Sequence, residues 1–597
     1  MSLESKLQFR DRARAPRGSA RVVLRKENTR KRAEEIASQF NLAILPALMI
    51  AARDIGDSLD LQHFLSPTLK DGLPDPREMK NLTPAASRII EAVLNKDKIA
   101  VFSDFDVDGI SSAAQLVPFL GEIGADVFHY APNRFSEGYG LSKFAVEKLA
   151  NVGTKLLITV DCGATSHEAV SFAKQKGLAV VVIDHHQLHG ESPADILVDP
   201  AQEGCSFQKH QLCAAGLVWF LLVELRRQIL ELQSENKSFS ITQVPDPKSF
   251  LDLAALGTIC DMVPLIGPNR VIATRGIELL EREQRKGLTA LKGVSKLSGR
   301  MSTGGVSFGL GPRINAAGRL ADASFAFELL TTKDELRAQE LAQMIDKLNS
   351  ERRSIEEAVK LKCLDILGET HANLSGLAVF DPSFHAGVIG IVAQRLVEIF
   401  HKPAAVMALG EMLIGRKSIS VIKGSVRSVK GFHVADALKA LSSLLVNHGG
   451  HSEAGGFSIE QDKLREFQEA FSDLASRIIT PENRIKNLMA DAEISFDLID
   501  FIGIEQLEKL QPFGIGNPGP VFVTNEVLVE SVSVIAEKHL KVKVKEGQYS
   551  LTGLCWNFEG NELLRKGERV NIAYTPEFNS YQGTTTVQLN IKEVWSK

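Results

Sequence analysis

The chain has 597 residues, 44% of them hydrophobic and 24% charged, ordinary globular usage that excludes wholesale disorder. At roughly 150 residues per domain, the length suggests about three to five domains. Net charge is −4 but unevenly spread: residues 1–33 hold eleven Lys and Arg against three Asp and Glu. The acidic total therefore excludes no polyanionic partner, and a solvated terminus explains the basic arm equally well.

In chain order, the first clear element is a helix opening at Thr83-Pro84, with Thr83 as cap and Pro84 in the first turn, ending near Asn95-Lys96. Ile99–Phe102 follows as a short apolar strand. Lys155–Val160 is a second strand, His167 to Lys176 a helix, and Ala179–Ile183 a third strand. Continuous apolar strands alternating with helices indicate a parallel sheet covered on both faces. The apolar run Leu212–Leu225, broken by Glu224, reads as a buried helix and not a membrane span. Asp334 to Leu367 contains no Gly or Pro, and its apolar spacing predicts one helix on the order of 50 Å long. A second α/β region spans roughly 375–480. From Pro520 the pattern changes to short strands, Val521–Thr524, Val527–Ile535, Leu540–Val544, Leu551–Trp556, Val570–Thr575 and Thr585–Val594, which predict a small barrel of the OB type. The expected fold is α/β: a parallel-sheet domain joined by a long helix to a smaller α/β domain, with a C-terminal β-barrel. The division is 1–80, 81–333, 334–370, 371–484 and 485–597.

Six cysteines are scattered without CxxC spacing, so neither a zinc ribbon nor a disulfide framework is expected, and a reducing cytoplasm is the natural setting. The N-terminus has no apolar h-region, so no secretory signal is expected.

Chemistry concentrates at the strand ends. The first strand runs into Asp104-Phe105-Asp106-Val107-Asp108-Gly109, the second into Asp161-Cys162-Gly163 and the third into Asp184-His185-His186. Asp261 follows the helical run Leu251–Cys260. Ligands bind at the carboxyl ends of such strands. Alone, each residue has an ordinary explanation, since an Asp at a strand end is usually a cap or turn former. Together, so many carboxylates would repel one another unless cations were present. Two imidazoles make the set a mixed oxygen and nitrogen donor group that suits Mn²⁺, Mg²⁺ or Zn²⁺. The ligands suffice for two ions, and two metals about 4 Å apart are a known device for phosphate-ester hydrolysis.

DFDVDG, VDCG, DHH and Asp261 resemble the four motifs of the DHH phosphoesterase superfamily. Within it, the chain is similar from about residue 80 onward to the RecJ family, single-stranded-DNA-specific 5′→3′ exonucleases of bacteria. The resemblance implies two divalent ions, Mn²⁺ or Mg²⁺, held by Asp106, Asp108, Asp161, His185 and Asp261. Asp104 fits the same motif, and which two of its three acids ligate stays open. Asp161 would bridge the ions. His186 would sit by the scissile phosphate, and Asp184 would orient a histidine, as metal-bound imidazoles require.

Gly311–Arg319, GPRINAAGR, places two Arg and an Asn among small residues. Gly and Pro fix a tight backbone, and guanidinium forks suit phosphate oxygens. By resemblance this block faces nucleic acid, through Arg313, Asn315 and Arg319. In the second α/β region, His385–Gly390 looks like a helix N-terminus that attracts anions. Gly424–Ser428 supplies Ser425 and Arg427, and Gly449–Gly456 is a glycine-rich turn containing His451. The combination resembles the DHH-associated domain, which implies anchoring of the 5′ end: Ser425 and Arg427 are the candidates for its phosphate, with His451 nearby and His385 among the substrate-binding residues. In the barrel, Tyr549, Trp556, Tyr574, Phe578 and Tyr581 are available for base stacking, though most are expected to pack. Lys541, Lys543 and Lys545 share one strand face, on a nucleic-acid groove or a solvated edge strand.

The expected activity is stepwise hydrolysis of single-stranded DNA to 5′-mononucleotides by a monomer. Resemblance adds roles in recombination and repair with single-strand-binding protein and a RecQ-type helicase, and no membrane. Three alternatives are a phosphodiesterase on short oligonucleotides or cyclic dinucleotides, a DHH pyrophosphatase, and an inactive single-strand-binding relative. The extra barrel disfavours the first two, and GPRINAAGR also disfavours the pyrophosphatase. The full set of motif acids and histidines disfavours the third.

Overall fold

The computed structural model describes residues 20–596 apart from 54, 57, 134–136, 138–139, 236–239, 242, 298, 415–416, 481, 537–538, 557, 559–562 and 582. Most of the basic arm, residues 1–19, lies outside the described residues. The chain forms two compact units. One comprises Gly56–Glu351 with Leu510–Gly519; the other comprises the residues up to Ile55 with Arg352–Lys509 and Pro520–Lys597.

In the first unit, five parallel strands, β1 (Lys98–Ser103), β2 (Asp126–Tyr130), β3 (Leu156–Val160), β4 (Ala179–Ile183) and β5 (Ile196–Val198), lie in the order β2-β1-β3-β4-β5. The strands at the centre are continuous apolar runs because both faces are covered: Val101, Ile158 and Val181 face one core and Phe102, Leu157 and Val180 the other. Strand ends are in register, with Ser103 beside Val160, Val160 beside Ile183 and Ile183 beside Val198. The residues that follow are Asp104, Asp161, Asp184 and Asp199, so the register sets four acids in a row.

Two local expectations are corrected. The helix Leu82–Leu94 is capped by Asn81 in a left-handed conformation, not by Thr83. Thr83 and Pro84 already lie inside its first turn, where a missing N–H costs nothing. GPRINAAGR, expected to have a tight backbone fixed by Gly and Pro, is helical: Gly311–Leu320 is a helix with its Pro in the first turn.

The long helix Glu335–Leu367 is present as expected. Ala338, Leu341, Ala342 and Ile345 belong to the core of the first unit, whereas Val359, Cys363, Leu364 and Leu367 belong to a core of the second. Its two ends therefore have separate burial partners.

In the second unit, β6 (Leu377–Phe380), β7 (Ala404–Ile414), β8 (Lys417–Arg427), β9 (Asn447–Gly450) and β10 (Ala454–Ile459) form a mixed sheet in the order β9-β10-β8-β7-β6, with only β6 and β7 parallel. The barrel consists of β11 (Phe522–Ile535), β12 (His539–Glu546), β13 (Tyr549–Cys555), β14 (Arg569–Tyr581) and β15 (Thr584–Trp595). Their order is β11-β12-β13-β15-β14, and β14 pairs back to β11, which closes it. The two strands expected over 521–535 are one strand, bulged between Thr524 and Val527. Because β12 is paired on both sides, Lys541, Lys543 and Lys545 do not lie on an edge strand.

Part of the basic arm is ordered into this second unit. Arg21–Leu24 pairs in parallel with Asn487–Ala490. Buried Asp491 accepts two 2.9 Å hydrogen bonds from Arg53 and one of 3.0 Å from the Val521 amide.

Candidate metal centre

The site begins where the sheet register ends. Asp106 caps the helix Val107–Glu122, its Oδ1 accepting from the amides of Asp108 at 2.9 Å and Gly109 at 3.2 Å. Asp108, in the first turn of that helix, meets the N-terminus of the helix Ala214–Glu235: Oδ2 accepts from Ala214 at 2.7 Å and Oδ1 from Ala215 at 2.9 Å. Burial and the charge of Asp106 nevertheless push Asp108 up to about 6. Asp161 turns out of β3 with φ 61°, a left-handed conformation that a non-glycine residue adopts only under constraint. Burial, then the charges of Asp108, Asp106, Asp104 and Asp261, hold its carboxyl well above the usual range. Asp261 ends the helix Leu251–Cys260 and is raised for the same reasons.

His185 joins these acids. Its Nε2 lies 3.2 Å from Asp161 Oδ1, 3.6 Å from Asp108 Oδ2 and 3.8 Å from Asp261 Oδ2. His186 turns instead to Asp184, with Nδ1 2.6 Å from Oδ1. Burial alone would lower His186, but the Asp184 hydrogen bond and charge prevail and raise it to about 9. Burial would raise Asp184, yet His186, His185 and the Ala164 amide hold it below its ordinary value.

Three overlapping groups place their ligand atoms within 4.8 Å of one another: Asp104, Asp106 and Asp161; Asp161, His185 and His186; and Asp108, His185 and Asp261. The donors are oxygen and imidazole nitrogen with no thiolate, a set that fits hard divalent ions. Asp161 and His185 are each common to two of these groups. Thus all eight expected acids and histidines are brought together.

Asp199 was missed by the sequence reading. It follows β5, is fully buried, and burial pushes its carboxyl up to about 7. The only available signal was the three-residue run Ile196-Leu197-Val198.

The helix Gly311–Leu320 adjoins the site through Asn315, whose Oδ1 accepts from the Val107 amide at 3.2 Å. Arg313 is already engaged, 2.8 Å from Asp346 Oδ1 and donating to the Gly309 carbonyl at 2.7 Å. Arg319 lies in the last turn of that helix.

In the second unit, Ser425, Arg427 and Gly390 come together. Arg427 Nη1 donates to Ser425 Oγ at 3.0 Å. Gly456 and Ala454 on β10 pair with Ser425 and Arg427. A Cβ at Gly390, on the helix Ile389–Phe400, would lie 3.0 Å from both Ser425 Oγ and Arg427 Nη2, so only glycine leaves that space open. His385 Nδ1 accepts from Gly387 at 3.1 Å, and the His451 amide donates to Ala454 at 2.8 Å.

In the barrel, Tyr549 and Trp556 are exposed. Tyr574 is not available: it is fully buried and bonded to Thr524 Oγ1 at 2.7 Å. Phe578 packs against Phe501, ring centroids 5.2 Å apart. The Tyr581 side chain lies outside the described residues.

Comparison with known proteins agrees with this geometry. Family profiles match for the DHH family N-terminal domain over residues 98–258, the DHHA1 domain over 373–477 and the RecJ OB domain over 490–593. The single-stranded-DNA-specific exonuclease RecJ of Dickeya dadantii is 33% identical, across 92% of this chain and 96% of that protein. The protein of the same name from Escherichia coli strain K12 is 31% identical, across 96% and 100%. The crystal structure of RecJ in complex with Mn²⁺ from Thermus thermophilus superposes with a TM-score of 0.81 and 28% identity, covering 97% of this chain and 79% of that one. Among the described residues no helix is long and apolar enough to cross a membrane. With matching domains in matching order and near-complete coverage at this identity, the chain belongs to the RecJ family.

Proposed function

We propose that this chain is a metal-dependent exonuclease that degrades single-stranded DNA from its 5′ end and releases 5′-mononucleotides. One observation carries the reading: a row of strand-end acids with two imidazoles, in a chain aligned almost end to end with proteins named for that activity. Asp104, Asp106, Asp108, Asp161, His185 and Asp261 would hold two Mn²⁺ or Mg²⁺ ions. Bound there, such ions supply an activated water and neutralise charge on the phosphate.

The remaining roles belong to the chain itself. Asp184 Oδ1 lies 2.6 Å from His186 Nδ1 and favours the protonated imidazole, the form that donates to a phosphate oxygen. Asn315 braces the turn that carries Asp106 and Asp108. Arg319 contacts the strand, and Arg313, held by Asp346 and the Gly309 carbonyl, orients its helix. Ser425 and Arg427, with His385 and His451, grip the 5′-phosphate in a space that Gly390 keeps clear. Such an enzyme acts in the cytoplasm as a monomer, beside single-strand-binding protein and a RecQ-type helicase. The division at residues 80, 333, 370 and 484 remains our reading of its modules.

The test uses one single-stranded oligonucleotide labelled separately at its 5′ and 3′ ends, incubated with Mn²⁺, Mg²⁺ or chelator. Immediate release of the 5′ label as mononucleotide, with stepwise shortening of the 3′-labelled strand, is the expected result. No release with either metal would redirect the search to cyclic dinucleotides and pyrophosphate.

A further inference from the structure

The loop Leu510–Gly519 lies far along the sequence from the metal motifs, yet it belongs to the compact unit that contains them. It packs on the residues that follow Asp261. The Leu265 amide donates to the Ile515 carbonyl at 2.7 Å. A Cβ at Gly516, whose φ is +76°, would lie 3.1 Å from Pro264 Cβ and 3.3 Å from Ile266 Cγ2. At Gly514, a Cβ would come within 2.7 Å of Leu265 Cδ1. Thr303 Oγ1 donates to the Phe513 carbonyl at 2.7 Å.

Arg270 clamps the loop from below. It is almost fully buried, and its guanidinium donates to backbone carbonyls: Phe64 at 2.9 Å, Gln511 at 2.9 Å and Pro512 at 3.5 Å. Its neighbour Asn269 donates to the Pro264 carbonyl at 3.0 Å. Inside the loop, Asn517 Nδ2 closes the turn onto the carbonyls of Leu510 at 3.0 Å and Pro512 at 2.9 Å. A buried cation bound to carbonyls is costly to install, and here it fixes backbone geometry.

Asp261 differs from the other candidate ligands. Asp104, Asp161 and the DHH residues follow paired strands, so the sheet sets their positions. Asp261 sits at a helix end, and the next residue, Met262, has φ 62°. After Met262 the chain meets Pro264, Leu265 and Ile266, all three held by the loop or its clamp.

We propose that Leu510–Gly519 is a positioning element of the metal centre, bracing the segment after Asp261 so that its carboxylate stays aimed at the ion shared with Asp108 and His185. The proposal rests on the reading of Asp261 as a metal ligand. Groups that orient a ligand typically matter about 10–100-fold in metal affinity.

The test titrates the full-length, metal-stripped protein with Mn²⁺, following stoichiometry and affinity by calorimetry and electron paramagnetic resonance. Gly516→Ala adds one methyl against Pro264 in a backbone conformation unfavourable to alanine. The expected result is one Mn²⁺ equivalent weakened about ten-fold, the other unchanged, with kcat lowered and the KM for single-stranded DNA kept. Thr303→Val, which replaces the hydroxyl bonded to Phe513 with a methyl group, is expected to act in the same direction more weakly and decides the matter should Gly516→Ala not fold. Wild-type Mn²⁺ binding in the folded variants would overturn the proposal, as would equal loss of both equivalents. Asp261→Asn is the control: two unchanged Mn²⁺ equivalents in that variant would refute the ligand reading itself.

Discussion

Asp108 accepts a 2.7 Å hydrogen bond from the amide of Ala214, the first residue of the helix Ala214–Glu235, and a second from Ala215 at 2.9 Å. The positive end of a helix thus holds a carboxylate that burial and Asp106 would otherwise neutralise. Asp161 lacks that support: it is buried among four other acids. The two ligands should therefore differ when the metals are removed. Asp108→Ala strands two buried amides, at about 1–3 kcal/mol each, and should lower the thermal midpoint of the metal-free protein. Asp161→Ala removes repulsion and should leave that midpoint unchanged or higher. Both variants should lose hydrolysis, and Asp161→Ala should keep strand binding. Melts in chelator check the contrast, and equal destabilisation by the two substitutions would contradict it.

The same raised carboxyls fix the sign of the pH dependence. Asp108 sits at about 6, and Asp161 and Asp261 lie well above their ordinary values. The metal-free folded protein therefore binds more protons than the unfolded chain above about pH 4, the unfolded carboxylate range. These groups make its stability fall as pH rises toward 7. Metal displaces those protons, so affinity should rise with pH and weaken steeply below about 6. Mn²⁺ titrations at pH 5, 6 and 7, beside denaturant melts in chelator, measure both slopes; a pH-independent affinity would show that the acids are already ionised.

Gly390 should report on the phosphate end. An alanine methyl there would press on Ser425 Oγ and Arg427 Nη2, each 3.0 Å away. Gly390→Ala should cost roughly ten-fold in kcat/KM on 5′-phosphorylated strands, about 1.4 kcal/mol of transition-state binding, and little on 5′-hydroxyl strands. Arg427→Ala should erase the same preference. An unchanged preference in both variants would move the anchor elsewhere.

The strands that carry the metal motifs were legible because each is a continuous apolar run, and Ala179–Ile183 matches its expected bounds. Asp126–Tyr130 escaped notice as a half-buried edge strand with a polar start, and Ile196–Val198 because three residues make no periodicity. Asp199 was lost with it. In GPRINAAGR, Gly and Pro pointed to a tight backbone, but here that pair opens a helix. Tyr574 was a candidate for stacking, and only the closed barrel reveals that it points inward. No local pattern ties Leu510–Gly519 to the segment after Asp261, because that contact is made by tertiary packing and hydrogen bonds between residues far apart in sequence.

The Asp184–His186 pair gives the last expectation. Their 2.6 Å contact raises the imidazole of the metal-free protein to about 9, which favours the protonated form of His186 at neutral pH. Its stabilising contribution is full below about pH 6.5, the unfolded value, and is lost as pH rises through about 9. If the imidazolium donates to phosphate, kcat should decline on the alkaline side with the same titration. Asp184→Asn removes the charge that holds the proton while keeping the shape. Its alkaline limb should then move from about pH 9 toward about 6.5, so that activity at pH 8 falls far more than activity at pH 6. Rate profiles of both proteins between pH 6 and 10, at saturating Mn²⁺, decide this. A variant whose loss is the same at every pH would mean that Asp184 only shapes the turn, through its bonds to the amides of Ala164, His185 and His186.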